Sequence, residues 1–120
     1  MIEKSHKRLL VWQKAIDLVT LVYRLTASFP EEERFGLVSQ MRRAAVSVAS
    51  NIAEGAARKS RKEKTQFFIN ARGSLSELDT QLVIVDRLSF GVAEARQEMV
   101  VILDEVGRLL SGLIASQNRL

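Results

Sequence analysis

RRAAVSVASNIAEGAARKSRKEK, Arg42 to Lys64, is the stretch that decides how the rest of the chain is read. In its first half Ala44, Ala45, Val48 and Ile52 recur at spacings of three and four, which predicts the buried face of a helix. A polar stripe accompanies them: Gln40, Arg43, Ser47, Asn51, Glu54 and Arg58. The second half changes character, and five of the seven residues from Arg58 to Lys64 are Lys or Arg. Ser60 followed three residues later by Glu63 has the spacing of a capping box, so a new helix is expected just after Ser60.

Four helices follow from working outward, at about 8–28, 31–57, 61–89 and 92–117, and no segment reads as a strand. The first has Trp12, Ala15, Ile16, Val19, Val22 and Tyr23 as its expected core stripe, widened by Leu18, Leu21 and Leu25. A helix this apolar needs cover on more than one side. Phe29-Pro30 ends it, because proline disfavours helical geometry in the preceding residue. The run Glu31-Glu32-Glu33 suits the start of helix 2, with a short separate turn before Gly36. Helix 2 turns Leu37 and Met41 inward with the alanines, Val48 and Ile52. Helix 3 has Phe67, Phe68, Ala71, Leu75, Leu78, Leu82 and Val85, and Gly91 marks its stop. Helix 4 turns Met99, Ile102, Leu103, Val106, Leu110 and Leu113 inward. Short connections between long amphipathic helices imply antiparallel neighbours, hence an all-α, up-down four-helix bundle in one domain spanning 1–120. Residues 1–7 and the extreme C-terminus are expected to fray.

Helix 3 has a polar stripe of its own: Gln66, Asn70, Ser74, Glu77 and Gln81. If it faces the stripe of helix 2, Asn51 is level with Gln66, Ser47 with Asn70, and Arg43 lies within a turn of Glu77. An Arg43–Glu77 ion pair is therefore expected, since half-buried polar groups need partners. Gly73 inside helix 3 costs about 1 kcal/mol relative to alanine, and a close backbone neighbour would explain it. A further stripe of Ile69, Gly73, Ser76, Thr80 and Val83, together with the surplus apolar face of helix 1, points to self-association.

Composition excludes several chemistries. The chain has no Cys, which removes disulfides, thiolate zinc sites and cysteine nucleophiles. Its single histidine, His6, lies in the N-terminal tail. A di-metal bundle needs Glu-x-x-His pairs, and these are missing. There is no HExxH, Walker A loop or GxSxG, so a non-enzymatic protein without cofactor or metal is expected. The longest apolar runs, such as LVIV (82–85) and MVVIL (99–103), fall far short of the roughly 20 residues that span a bilayer. No signal peptide is recognisable, and a cytoplasmic location with no membrane partner is the expectation.

Charge is uneven. Residues 1–72 hold 14 Lys/Arg against 7 Asp/Glu, whereas residues 73–120 hold 4 against 7. Such a split favours a polyanion partner. The candidate contact residues are Arg58, Lys59, Arg61, Lys62 and Lys64, extended by Arg72 and by the tail residues Lys4, Lys7 and Arg8. Cations at a helix N-terminus are mildly unfavourable for the helix, so the placement invites a functional reason. Phosphate contact supplies one. Aromatics make up 6% and fall mainly in the core stripes, so no base-stacking platform is expected. The competing reading is a protein-interaction scaffold whose basic turn meets an acidic protein.

The motifs VWQKAIDL (11–18), FP (29–30) with FGL (35–37), QMRRAAVSVASNIAEGAAR (40–58) and FFINARGSLSELDTQL (67–82) together resemble the 23S rRNA intervening-sequence protein family, over nearly the whole length. The resemblance implies a left-handed four-helix bundle that assembles as a ring, with a homopentamer expected. It also implies a kinship of fold with the accessory protein of diversity-generating retroelements, which engages a reverse transcriptase and RNA. RNA, a nucleic-acid-processing protein and further copies of the chain are the partners it suggests. The residues that recur in the family correspond to Arg43, Ser47, Asn51, Glu54, Gly55, Arg58, Gly73, Ser74 and Glu77. Most of these read as helix-pairing and turn residues, and Gly55 permits a helix end or a close approach.

Overall fold

The computed structural model describes residues 9–118. The expected fraying of residues 1–7, and the tail residues Lys4, His6, Lys7 and Arg8, lie outside the described residues. Four α-helices account for most of the described chain: α1 Leu10–Thr26, α2 Ser39–Ala56, α3 Arg61–Leu88 and α4 Ala93–Gln117. No strand occurs among the described residues. The separate turn before helix 2 takes two forms, a 3₁₀ turn at Glu31–Glu33 and a wider π-type turn at Arg34–Val38. α2 therefore begins eight residues later than the expected start at 31. Gly36 supplies the break, with φ −104° and ψ −111°.

Each helix packs against two others: α1 on α2 and α4, α2 on α3, and α3 on α4. One continuous core lies between them. Leu18, Val22 and Leu25 of α1 meet Met41, Val48 and Ile52 of α2, Phe68, Leu78 and Val85 of α3, and Met99, Val106 and Leu110 of α4. Removing each such side chain from water contributes about 1.5–3 kcal/mol. The expected stripes of α2, α3 and α4 hold, with Leu37, Phe67, Ile102 and Leu113 only half-buried at the rim. The expected stripe of α1 is corrected. Val11, Ala15, Leu18, Leu21, Val22 and Leu25 are buried, while Ile16 and Tyr23 are exposed and Trp12 and Val19 half-buried. α1 has apolar residues on nearly every side, so periodicity locates a wide sector without fixing its centre.

The joint between α3 and α4 closes by a Schellman-type hydrogen-bond pattern. Ser89 takes the left-handed conformation at φ 56°, and Phe90 N–H donates to Val85 O at 3.1 Å. Gly91 also has positive φ, at 74°, and a Cβ there would lie 2.5 Å from Leu25 Cδ1. Arg96 ties the joint together, donating to Phe90 O at 2.9 Å, Gly91 O at 2.7 Å and Asp86 Oδ1 at 3.1 Å.

Candidate nucleic-acid interface at the α2–α3 turn

The polar stripes of α2 and α3 do face each other, with a different register from the one expected. The Ser47 and Ser74 hydroxyls are 2.8 Å apart, and Asn51 Nδ2 donates to Ser47 Oγ at 3.1 Å and to Ser47 O at 2.9 Å. Ser47 thus meets Ser74 and not Asn70, a displacement of four residues, or about one turn. Packing at the end of α2 accounts for it. Gly55 is buried against the Phe68 ring, where an added Cβ would lie 2.5 Å from Cε1. Seating that ring on the glycine sets the register for both helices.

The expected Arg43–Glu77 pair does not form, although the observed register brings the two positions closer to level: Arg43 lines a groove with Arg34 and Phe35, and Glu77 accepts from Gln81. The remaining stripe residues find partners on their own helices. Gln81 Nε2 donates to Glu77 Oε2 at 3.1 Å, Gln66 Nε2 donates to Asn70 Oδ1 at 3.0 Å, and Arg58 Nη2 donates to Glu54 Oε2 at 2.8 Å. Gln40 is exposed at the start of α2. Gly73 has open space around it, so the expected close neighbour is absent among the described residues.

The capping box forms as the spacing predicts. Ser60 Oγ accepts from Glu63 N–H at 3.1 Å and donates to Glu63 Oε1 at 3.1 Å. Around this cap the five basic residues divide into two groups. Arg58 stacks over the Phe67 ring at 4.7 Å from its centroid while bonding Glu54. Lys64 Nζ donates to Ala56 O at 3.2 Å, an unpaired carbonyl at the end of α2. These two cations hold the turn together. Lys59, Arg61 and Lys62 are exposed and have no carboxylate partner among the described residues. Arg72 does not extend the cluster. It lines an open groove of about 660 Å³ between α3 and α4 alongside Asp79 and Asp104.

The expectation that the aromatics sit in the core fails at the other end of α2. Phe35 is 86% exposed and Tyr23 is 43% exposed. Both border an open groove lined by Arg34, Arg42 and Arg43. Phe35 belongs to neither apolar stripe and directly precedes Gly36, and that mismatch is the signal in the sequence. Arg42 escapes the charge-cluster reading because it stands apart from the 58–64 run.

An all-α chain with a capped basic turn between its second and third helices is the class that fold and site define. The chain belongs to the 23S rRNA-intervening sequence protein family, whose pattern it matches over residues 7–112. It is similar in structure to a protein of unknown function from the S23 ribosomal protein family of Bacteroides thetaiotaomicron, with a TM-score of 0.77. The two are 20% identical, and the alignment covers 88% of this chain and 96% of that one. That likeness establishes the fold. Comparison with curated proteins gave no match.

Proposed function

We propose that this protein is a non-enzymatic RNA-binding or ribonucleoprotein accessory module whose polyanion contact is the α2–α3 turn. The observation that carries the reading is the trio Lys59, Arg61 and Lys62. All three are exposed and, among the described residues, unpaired at the N-terminus of α3, where the helix dipole already adds positive potential. A phosphate there would meet both the side chains and the free backbone N–H groups of the first turn.

Assembly belongs to the same reading: an up-down, left-handed bundle that closes into a homopentameric ring. Exposed Val83 and Ile84 on α3 and Val100 and Val101 on α4 support it, since apolar side chains at 42–66% exposure favour burial against a further copy. A ring would repeat the basic turn around its rim and convert weak contacts into avidity. Light scattering should then give five times the 13.5 kDa protomer mass.

The decisive test is charge reversal, Lys59→Glu with Arg61→Glu and Lys62→Glu, followed by RNA affinity measured across a salt series. Three lost phosphate contacts per bound turn should flatten the slope of log K against log salt by roughly 2–3. Circular dichroism should stay unchanged, because none of the three side chains supports the fold. An unaltered slope rejects the turn as the contact, and capture of an acidic protein that survives nuclease treatment would favour a scaffold.

A further inference from the structure

We infer that the groove between the C-terminal part of α1 and the start of α2 binds a single-stranded nucleic acid, with Phe35 as a base-stacking platform and Arg42 and Arg43 on the phosphates. This site is distinct from the α2–α3 turn. α2 is 18 residues long, so the two lie about 27 Å apart along it.

The groove measures about 510 Å³ and is open on one side. Three guanidinium groups line it, from Arg34, Arg42 and Arg43, and no carboxylate does. Arg42 bonds only neutral groups. Its Nε donates to Thr26 Oγ1 at 2.9 Å, its Nη2 to Tyr23 O at 3.4 Å, and its guanidinium lies 4.4 Å from the Tyr23 ring centroid. Thr26 is buried and donates to Val22 O at 2.8 Å, so the contact that aims Arg42 is anchored in the core. Arg43 is exposed and has no ion pair among the described residues. Arg34 has a loose one, 3.8 Å to Glu31, with both side chains largely in solvent. Among the described residues the groove therefore holds positive charge that only the loose Arg34–Glu31 pair offsets.

Phe35 gives that charge a direction. Its ring is held in solvent by the π-type turn, which Glu33 closes by accepting from Leu37 N–H at 3.3 Å. Arg34 lies 5.4 Å from the ring centroid. An exposed flat ring beside guanidinium forks matches a nucleotide whose base is free to stack and whose phosphate is within reach. Arginine also suits this role better than lysine, since its planar fork binds phosphate bidentately and stacks on rings. A duplex satisfies only half of the site, because its bases are already stacked on each other. An acidic peptide would answer the charge and leave the phenyl face without a specific partner.

The test uses fluorescein-labelled 12-mers, an oligouridylate single strand and a duplex, titrated with the full chain at two salt concentrations. The variants are Phe35→Ala, Arg43→Glu and, separately, the charge-reversed turn. Phe35→Ala should weaken single-strand binding about tenfold and leave duplex binding unchanged. Arg43→Glu should weaken both and reduce the salt slope by about one contact. Both residues are exposed, so both variants should fold. Unchanged single-strand affinity in both variants overturns the groove while leaving the turn standing. Loss of all binding only in the turn variant does the same. A Phe35→Ala protein with altered mass by light scattering and normal single-strand affinity shows the ring to be a protein contact and overturns the inference. Wild-type protein that binds the duplex but not the single strand overturns this inference alone, whereas binding of neither removes both proposals.

Discussion

The two ends of α2 are both basic, and they handle their cations in opposite ways. At its C-terminal end five cations crowd into seven residues, yet Arg58 and Lys64 are engaged in closing the turn. At its N-terminal end three arginines are spread over ten residues of sequence and gather on one groove with two exposed rings. Charge density along a chain measures how many cations are near each other in number. Availability depends on what the fold gives each one to bind. The dense cluster is thus less free than it reads, and the sparse one, though Arg42 is held by neutral groups and Arg34 by a loose ion pair, gathers more charge in one place than its spacing suggests.

The sharpest way to break this comparison is to exchange the two phenylalanines that mark its ends. Phe68 is 2% exposed and seats on Gly55 below the basic turn. Phe68→Ala should cost about 3–5 kcal/mol in urea unfolding, from lost transfer energy plus the cavity. Phe35→Ala should change stability by less than about 0.5 kcal/mol, because its ring contributes almost no buried area. Comparable losses in the two variants would mean that Phe35 is covered in the assembled protein, and the contrast between the ends would fail.

Gly55→Ala sharpens the same contrast with a smaller change. The new methyl would meet the Phe68 ring at 2.5 Å and Lys64 O at 3.2 Å. Relief requires the ring and the start of α3 to shift, at about 1–3 kcal/mol. Gly73→Ala is the control, since nothing lies within 4 Å of its added methyl. In the isolated protomer it should stabilise α3 by about 0.5–1 kcal/mol through helix propensity. A destabilised Gly73→Ala protein, measured by the same unfolding midpoint, would indicate a close neighbour from another copy.

These variants also show how far the sequence alone could be read. The helices and the core of α2, α3 and α4 were legible because one apolar face per helix imposes a clear period. The Ser60–Glu63 cap was legible because both partners lie within four residues. The register of α2 on α3 was not, since both stripes repeat every turn and a slip of four residues leaves each pattern intact. Only the fit of Phe68 on Gly55 breaks the tie, and that is a matter of shape between distant residues. The groove at the start of α2 was illegible for a related reason. Tyr23, Arg34 and Arg42 are far apart in sequence, and the π-type turn that projects Phe35 carries no periodic signature. Ser47→Ala tests the register directly. It removes a hydroxyl shared by Ser74 and Asn51, and should cost about 1 kcal/mol.

The smallest expected change in stability bears most directly on the comparison. Glu54 and Arg58 form an ion pair with side chains 55% and 40% exposed, so screening by solvent keeps its contribution to folding low. Glu54→Gln should therefore shift the unfolding midpoint very little, by less than about 0.5 kcal/mol. Its effect on charge is larger than its effect on stability. The substitution removes the carboxylate while the Phe67 ring still holds the Arg58 guanidinium in place, 4.7 Å from its centroid. Arg58 then joins Lys59, Arg61 and Lys62 as an unneutralised cation. If the turn binds phosphate, RNA affinity should rise and the salt slope should steepen by up to about 0.7–0.9. If affinity does not move, either Arg58 points away from the bound strand or the turn is not the contact. The charge-reversed turn separates those two, since only the first leaves that variant impaired.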